Sequence, residues 1–318
     1  MAVLAIARVG LEIENPGIVD RREYWTHIEP PEPDSIRLPA PSSSHPLARV
    51  GSHEPTTMPE DSVQDLAPDS SSLADRYAPA QVFSLSNAAG LRIAVMDYGA
   101  TWLSCTLPLP DGGRRELLLG CADLAEYQRQ TYYLGATIGR FTNRIRDARF
   151  ELDGREVQLL PNVGTHQLHG GPDSFDRRVW QPKLHEERRL LLSLVSPDGD
   201  QGYPGELQAH VSYELGDDLS MTICFEARCS APCPVGLTHH AYFNLDGDRG
   251  GDTGSALRQR LRVAADQWLP VDGQMQPAAE LAPVEGTGFD LREGRSLFET
   301  IAADPLLRCA GGWTTAWP

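Results

Sequence analysis

From Tyr77 onward, apolar residues recur at every second position. Leu91, Ile93 and Val95 make one such run, and Leu103, Cys105 and Leu107 make another that ends at the turn Pro110-Asp111-Gly112-Gly113. A period of two sends successive side chains to opposite faces, so each run predicts a strand with one buried face. Residues 149–160 predict a hairpin: Phe150 and Leu152 lead into Asp153-Gly154, a dipeptide suited to the positive φ angles of a type I′ turn, and Val157 and Leu159 resume the alternation. Leu207, Ala209, Val211, Tyr213 and Leu215 predict a long strand, which turns at Gly216-Asp217-Asp218 into Leu219, Met221, Ile223, Phe225 and Ala227. No amphipathic helix is comparably clear. Many strands joined by Gly, Pro and Asp turns, without intervening helices, predict an all-β fold, an antiparallel sandwich or barrel. Such folds offer a concave face or a rim of loops on which polar side chains converge.

Upstream the pattern stops. Residues 30–72 are dominated by Pro, Ser, Asp and Glu, as in Pro30-Pro31-Glu32-Pro33 and Ser70-Ser71-Ser72, and such a stretch buries too little apolar surface to offset its ordering entropy. Residues 1–75 are therefore expected to be a disordered N-terminal extension and 76–318 the folded domain. Residues 1–18 suit a short strand or helix but carry no motif.

The whole chain has 318 residues, 41% of them apolar, enough for a substantial core. Acidic side chains outnumber basic ones 44 to 28, a net charge of −16, so phosphate backbones and anionic membrane surfaces are expected to repel it. No apolar run approaches the roughly 20 residues that cross a bilayer, and the first residues lack a basic region of the secretory kind. A soluble, cytoplasmic protein without nucleic-acid or membrane partners is the expectation. The six cysteines are scattered, and reduced buried thiols are expected rather than a disulfide or zinc site.

Most histidines (His27, His45, His53, His185, His210) read as hydrogen-bonded structural residues. His169 differs because Gly170-Gly171 follow it, allowing a close backbone turn that leaves the ring open to a ligand. His240 differs because it sits in Leu237-Thr238-His239-His240-Ala241-Tyr242-Phe243-Asn244, a titratable group among aromatic and amide neighbours. Taken singly, Asn143 reads as a turn residue and Arg144 as a surface charge.

Together these stretches resemble the aldose 1-epimerase (galactose mutarotase) family. The resemblance runs from about Val82 to Leu297 and is carried, in order, by Tyr98-Gly99-Ala100; by Ile138-Gly139-Arg140-Phe141-Thr142-Asn143-Arg144-Ile145; and by His166-Gln167-Leu168-His169-Gly170-Gly171 with Phe175-Asp176 and Val179-Trp180 behind it. Asp198-Gly199-Asp200-Gln201-Gly202-Tyr203-Pro204-Gly205, then 237–247, then Pro270-Val271-Asp272-Gly273 through Phe289-Asp290 complete the series. The family implies a large antiparallel β-sandwich and an isomerase of hexose metabolism, with no cofactor and no metal, that interconverts the α and β anomers of a free aldose such as galactose or glucose. One group must take the proton of the anomeric hydroxyl while another protonates the ring oxygen; the opened aldehyde then rotates and recloses. Histidine suits the acid role because its ordinary pKa of about 6.5 lets it give and regain a proton near neutrality. By resemblance His240 is the acid, His169 binds the sugar and helps polarise its ring oxygen, and Asn143 and Arg144 hydrogen-bond sugar hydroxyls.

The departures from the family pattern carry expectations of their own. His239 and Ala241 stand where the family usually has Asn and Ser, which implies tuning of the acid. Gly311-Gly312-Trp313-Thr314 stands where the family has Gly-aromatic-Asp-His, so Thr314 takes the place of a sugar-binding aspartate. The family then continues to a glutamate that serves as general base, and no glutamate of this chain between Glu280 and Glu299 matches it. The resemblance thus implies a domain truncated at its C-terminus. A frameshift is the hypothesis that accounts for it: codons such as GAC CAC TGC TTG GCC, read one base over, become Thr-Thr-Ala-Trp-Pro, the residues at 314–318. Two alternatives stay open, a noncatalytic sugar-binding homologue and a hexose-6-phosphate 1-epimerase.

Overall fold

The structure, a computed structural model, describes residues 3–12, 70–247, 257, 259–273 and 275–310. The Pro- and Ser-rich residues up to 69 and the C-terminal residues 311–318, Thr314 among them, lie outside the described residues.

Val3–Glu12, among the residues 1–18 that suit a short strand or helix, is a strand (β1), and Ser70–Arg76, across the expected 75/76 boundary, is a short helix (α1). The composition argument applied to the Pro-rich stretch; β1, with Val3, Leu4, Ile6, Val9 and Leu11, has a content suited to strands. Next, β2 (Val82–Ser86), β3 (Arg92–Met96), β4 (Thr101–Pro108) and β5 (Arg114–Glu116) form an antiparallel sheet in sequential order. Helix α2 (Leu124–Arg129) follows, capped by Asp123, whose side chain accepts the Glu126 N–H at 2.7 Å.

The middle of the chain is built from short ladders. β6 (Thr137–Ile138) and β7 (Arg144–Ile145) are two residues each, and β8 (Arg149–Leu152) and β9 (Arg155–Gln158) form the hairpin expected from the sequence. Its turn residues Asp153 and Gly154 have φ of 52° and 73°, as a type I′ turn requires. β10 (Gln167–Leu168) pairs with β7.

The second large sheet contains β11 (Gln181–His185), β12 (Arg189–Ser196), β13 (Leu207–Leu215) and β14 (Ser220–Cys229), in the order β1-β14-β13-β12-β11. β1 lies antiparallel on β14, with Val3 opposite Cys229 and Glu12 opposite Ser220. The alternation along β13 and β14 is the one the sequence shows: Leu207, Ala209, Val211, Tyr213 and Leu215 are buried, as are Met221, Ile223, Phe225 and Ala227. They meet Phe83, Leu85, Ile93, Val95, Cys105 and Leu107 of the first sheet in one continuous core. Two antiparallel sheets packed face to face make the all-β sandwich, and each fully buried aliphatic or aromatic side chain contributes about 1.5–3 kcal/mol to it.

One strand departs from simple alternation. Between β3 and β4 the register shifts, Ala94 facing Ser104 and Val95 facing Trp102, so that Leu103 is the extra residue of a β-bulge. Trp102 therefore joins Cys105 and Leu107 in the inter-sheet core. Leu103, expected on that same face, packs outward with Leu73, Tyr77, Leu124 and Tyr127 around the two helices.

A final short strand, β15 (Thr238–His239), pairs with β6, Thr238 opposite Ile138 and His239 opposite Thr137. This brings the segment ending at His240 alongside the 137–145 segment, about 100 residues earlier in the chain.

Candidate functional site

The four residues singled out from the sequence converge where the short ladders end. Asn143 immediately precedes β7, and His169 immediately follows its partner β10. The two backbones close on each other: the His169 N–H donates to the Asn143 carbonyl at 2.9 Å, and the Asn143 N–H donates to His169 Nδ1 at 3.0 Å. Because Nδ1 accepts, the neutral ring keeps its proton on Nε2 as a donor turned away from Asn143. Arg144 Nη1 lies 3.4 Å from the Asn143 side-chain oxygen and, far from being a free surface charge, is half-buried.

Backbone conformation is what allows this convergence. Asn143 (φ 66°) and His169 (φ 54°) are both left-handed, as are Gly170 (φ 92°) and Gly171 (φ 105°) after them. A Cβ on Gly170 would stand 2.0 Å from the Gly139 carbonyl oxygen, and one on Gly171 would stand 2.8 Å from the Gln201 side-chain oxygen. The two glycines let the histidine loop lie directly on the 138–140 segment and the 198–205 loop.

His240 arrives from the other side. Its N–H donates to the Ala136 carbonyl at 2.9 Å, and the Gly135 N–H donates to its own carbonyl at 3.0 Å, extending the β6–β15 ladder by one residue. The His169 and His240 ring centroids are 5.3 Å apart, with the planes at 85°. Two tyrosines complete the cluster. Tyr133 lies 4.7 Å from His169 and 5.6 Å from His240, and Tyr242 lies 5.2 Å from His240.

Alternation along β15 sends the neighbouring histidine elsewhere. His239 packs edge-on against Trp102 and Tyr213 at the rim of the core, with Nε2 3.2 Å from the Tyr213 hydroxyl. That hydroxyl donates to the Ala100 carbonyl at 2.7 Å, so its oxygen accepts from Nε2–H and leaves the buried Nδ1 without a partner.

The electrostatics follow from burial. Burial first, and then the nearby His240 and Arg144, hold the His169 pKa down at about 3. Burial also lowers that of His240, and burial followed by His240 takes His239 to about 3. Near neutral pH all three rings are uncharged. Burial raises the Tyr133 phenol and lowers the Arg144 guanidinium. Among the described residues, no hydrogen bond or ion pair joins a carboxylate to the His169 or His240 ring, and no group of three or more His, Cys, Asp or Glu is arranged to hold a metal ion. Arg177, whose charge reaches the Tyr133 phenol, is paired with Asp176 at 3.8 Å, and the next residue, Arg178, is paired with Asp173 at 3.0 Å and Asp200 at 2.7 Å. A pair of neutral imidazoles beside a guanidinium and an amide, with two aromatic rings packed against them, can donate and accept hydrogen bonds over a small polyhydroxylated ligand.

Comparison with known proteins decides the family. The aldose 1-epimerase family model matches residues 81–310. The aldose 1-epimerase of Escherichia coli K12 is 44% identical over 245 residues, covering 77% of this chain and 70% of that protein. The chain belongs to the aldose 1-epimerase family. Human galactose mutarotase is 38% identical over 203 residues, 64% of this chain and 58% of the human protein. Among solved structures, an aldose epimerase homologue from C. elegans superposes with a TM-score of 0.66 at 32% identity, covering 71% of this chain and 68% of that one. Galactose 1-epimerase from Lactobacillus acidophilus superposes with a TM-score of 0.63 at 30% identity, covering 73% and 67%. The chain thus shares its fold with these solved structures, and the family is one of isomerases.

Tyr133 was not singled out by sequence reasoning, and Tyr242 was noted only as a neighbour of His240. Tyr133 lies on neither alternation nor motif, and its left-handed backbone (φ 58°) leaves no signature in a non-glycine residue. Adjacency to Leu134-Gly135-Ala136, which leads into the 138–145 motif, was the one available signal.

Proposed function

We propose that this protein binds a free aldose, galactose or glucose, and interconverts its α and β anomers by acid–base ring opening. The observation that carries the reading is the edge-to-face pair His169–His240, 5.3 Å apart, beside Asn143 and Arg144. In this scheme His169 Nε2–H donates to the sugar ring oxygen and polarises it. His240 delivers a proton to that oxygen as the C1–O5 bond breaks and the anomeric hydroxyl gives up its proton to water, leaving the aldehyde; both transfers reverse when the ring closes on the other face. A lowered pKa makes the His240 imidazolium scarcer near neutrality and a stronger acid when formed. Arg144 and the Asn143 amide bind hydroxyls. The names of the relatives, aldose 1-epimerase and galactose mutarotase, support this substrate class.

A neutral sugar fits better than a hexose 6-phosphate. A phosphate calls for unpaired cations, whereas Arg177 and Arg178 are held by Asp176, Asp173 and Asp200, leaving Arg144 beside the imidazoles.

Polarimetry of freshly dissolved α-galactose tests the proposal: the protein speeds the drift to equilibrium and His240→Ala abolishes the acceleration. Equal rates for the two proteins would remove His240 from the acid role. A second reading, sugar binding without catalysis, is favoured by the lack of a carboxylate bonded to either imidazole among the described residues. Saturable galactose binding in a calorimeter, with no faster anomer exchange, would establish that reading instead.

A further inference from the structure

Among the described residues, His240 is the member of the imidazole pair whose ring no hydrogen bond orients. His169 is locked by the Asn143 N–H on Nδ1; the His240 ring packs against three aromatic rings, Tyr133 at a tilt of 35°, Tyr242 at 32° and His169 at 85°. Of the two tyrosines, Tyr133 is also in edge contact with His169, at 4.7 Å and 77°. Each of the three rings therefore touches the other two.

The backbone beneath this triangle is equally joined. The Tyr133 carbonyl accepts from the Ala136 N–H at 3.0 Å, closing a turn whose Gly135 N–H and Ala136 carbonyl are the two groups bonded to the His240 backbone. Tyr133 and His240 are thus mounted on a single frame. Tyr133 holds a φ of 58°, and a bulky residue persists in the left-handed region where the surroundings over-determine it. Its hydroxyl makes no hydrogen bond to a described residue, so the ring is what the fold holds in place.

We propose that Tyr133 is a positioning residue: its ring holds the His240 imidazole at the distance and tilt from His169 at which both imidazoles meet one bound ligand. The groups facing the two rings are Tyr133, Tyr242, Arg144 and the rings themselves, with His239 on the core side. Without the Tyr133 ring, His240 gains rotamers and water.

Two substitutions separate ring from hydroxyl. Tyr133→Phe keeps the ring; Tyr133→Gly removes it while suiting the positive φ, so it should fold, as circular dichroism and thermal melting will check. Side-chain imidazole NMR reads the result without substrate: the His240 titration stays below the ordinary value of about 6.5 in the native protein and in Tyr133→Phe, and moves up toward it in Tyr133→Gly. The kinetic arm rests on the anomer-exchange reading. There Tyr133→Gly loses on the order of 100-fold in kcat with KM little changed, the signature of lost orientation, and Tyr133→Phe stays close to native. If the His240 titration is the same in Tyr133→Gly as in the native protein, or if Tyr133→Phe shifts it as far as Tyr133→Gly does, the positioning role is overturned. A native protein that leaves galactose drift unchanged would count against the proposed function, and the titration arm would still decide the role of Tyr133.

Discussion

The sandwich core and the imidazole site are built on opposite principles. In the core, β13 and β14 are nine and ten residues long and repeat one simple rule, apolar in and polar out. Around the site the ladders β6, β7, β10 and β15 are two residues each, and Tyr133, Asn143 and His169 all take positive φ. A repetitive region tolerates error because each side chain adds a similar increment. A site of single-use conformations does not, since each placement depends on one backbone bond or one missing Cβ.

The largest effect expected from breaking this contrast falls on the site alone. Under the proposed function, His240→Ala removes a general acid and lowers the anomer-exchange rate by about 10²- to 10⁴-fold, with the urea midpoint nearly unchanged; polarimetry and urea titration on the same sample check both. Leu192→Ala should do the reverse. Leu192 is fully buried, so truncation costs about 2–5 kcal/mol of stability while the titrations of His169 and His240 stay put.

Two glycines with similar backbones sharpen the comparison further. Gly170→Ala meets both a φ of 92° and the Gly139 oxygen at 2.0 Å, so it should cost about 1–3 kcal/mol or more and abolish galactose binding as the His169 loop is pushed away. At Gly154, with a φ of 73° and nothing within 4 Å of the added Cβ, alanine should cost about 1–2 kcal/mol and leave binding intact. Calorimetric galactose titrations of both variants distinguish them; equal losses of binding would mean that the close approach at Gly170 is not what seats His169.

The smallest effect is a slope. His169 and His239 have folded pKa values of about 3, against about 6.5 in an unfolded chain. Above about pH 6.5 both states are neutral and the stability is fully present; as pH falls toward 3 the unfolded state takes up protons that the folded state refuses. Stability therefore declines by at most about 1.4 kcal/mol per pH unit for each histidine. His239→Asn should flatten this slope in urea titrations between pH 7 and pH 4, because the bare, buried Nδ1 is gone. An unchanged slope would mean that His239 is not excluded from protonation in the fold.

Much of the fold was legible because strand alternation is local. Leu207 to Leu215 and Met221 to Ala227 face the core as their spacing foretold, and Asp153-Gly154 makes its hairpin turn. Leu103 was misplaced because a bulge is decided by how β3 and β4 pair, and no pattern within β4 records that. At the site, the glycines after His169 and the motif around His240 were visible. Tyr133 was not, since its importance comes from meeting both imidazoles.

By itself, the sequence determined the all-β class, strands β13 and β14 of the larger sheet and the two histidines around which the site is organised, because alternation and turn chemistry are properties of neighbouring residues. Tertiary structure alone decided that His239 faces the core while His240 faces the site, that Asn143 fixes the His169 tautomer, and that Tyr133 stands against both rings. Those facts depend on which two-residue ladders pair across long stretches of chain. Such pairing is settled by the closure of the whole sandwich, and local composition does not encode it.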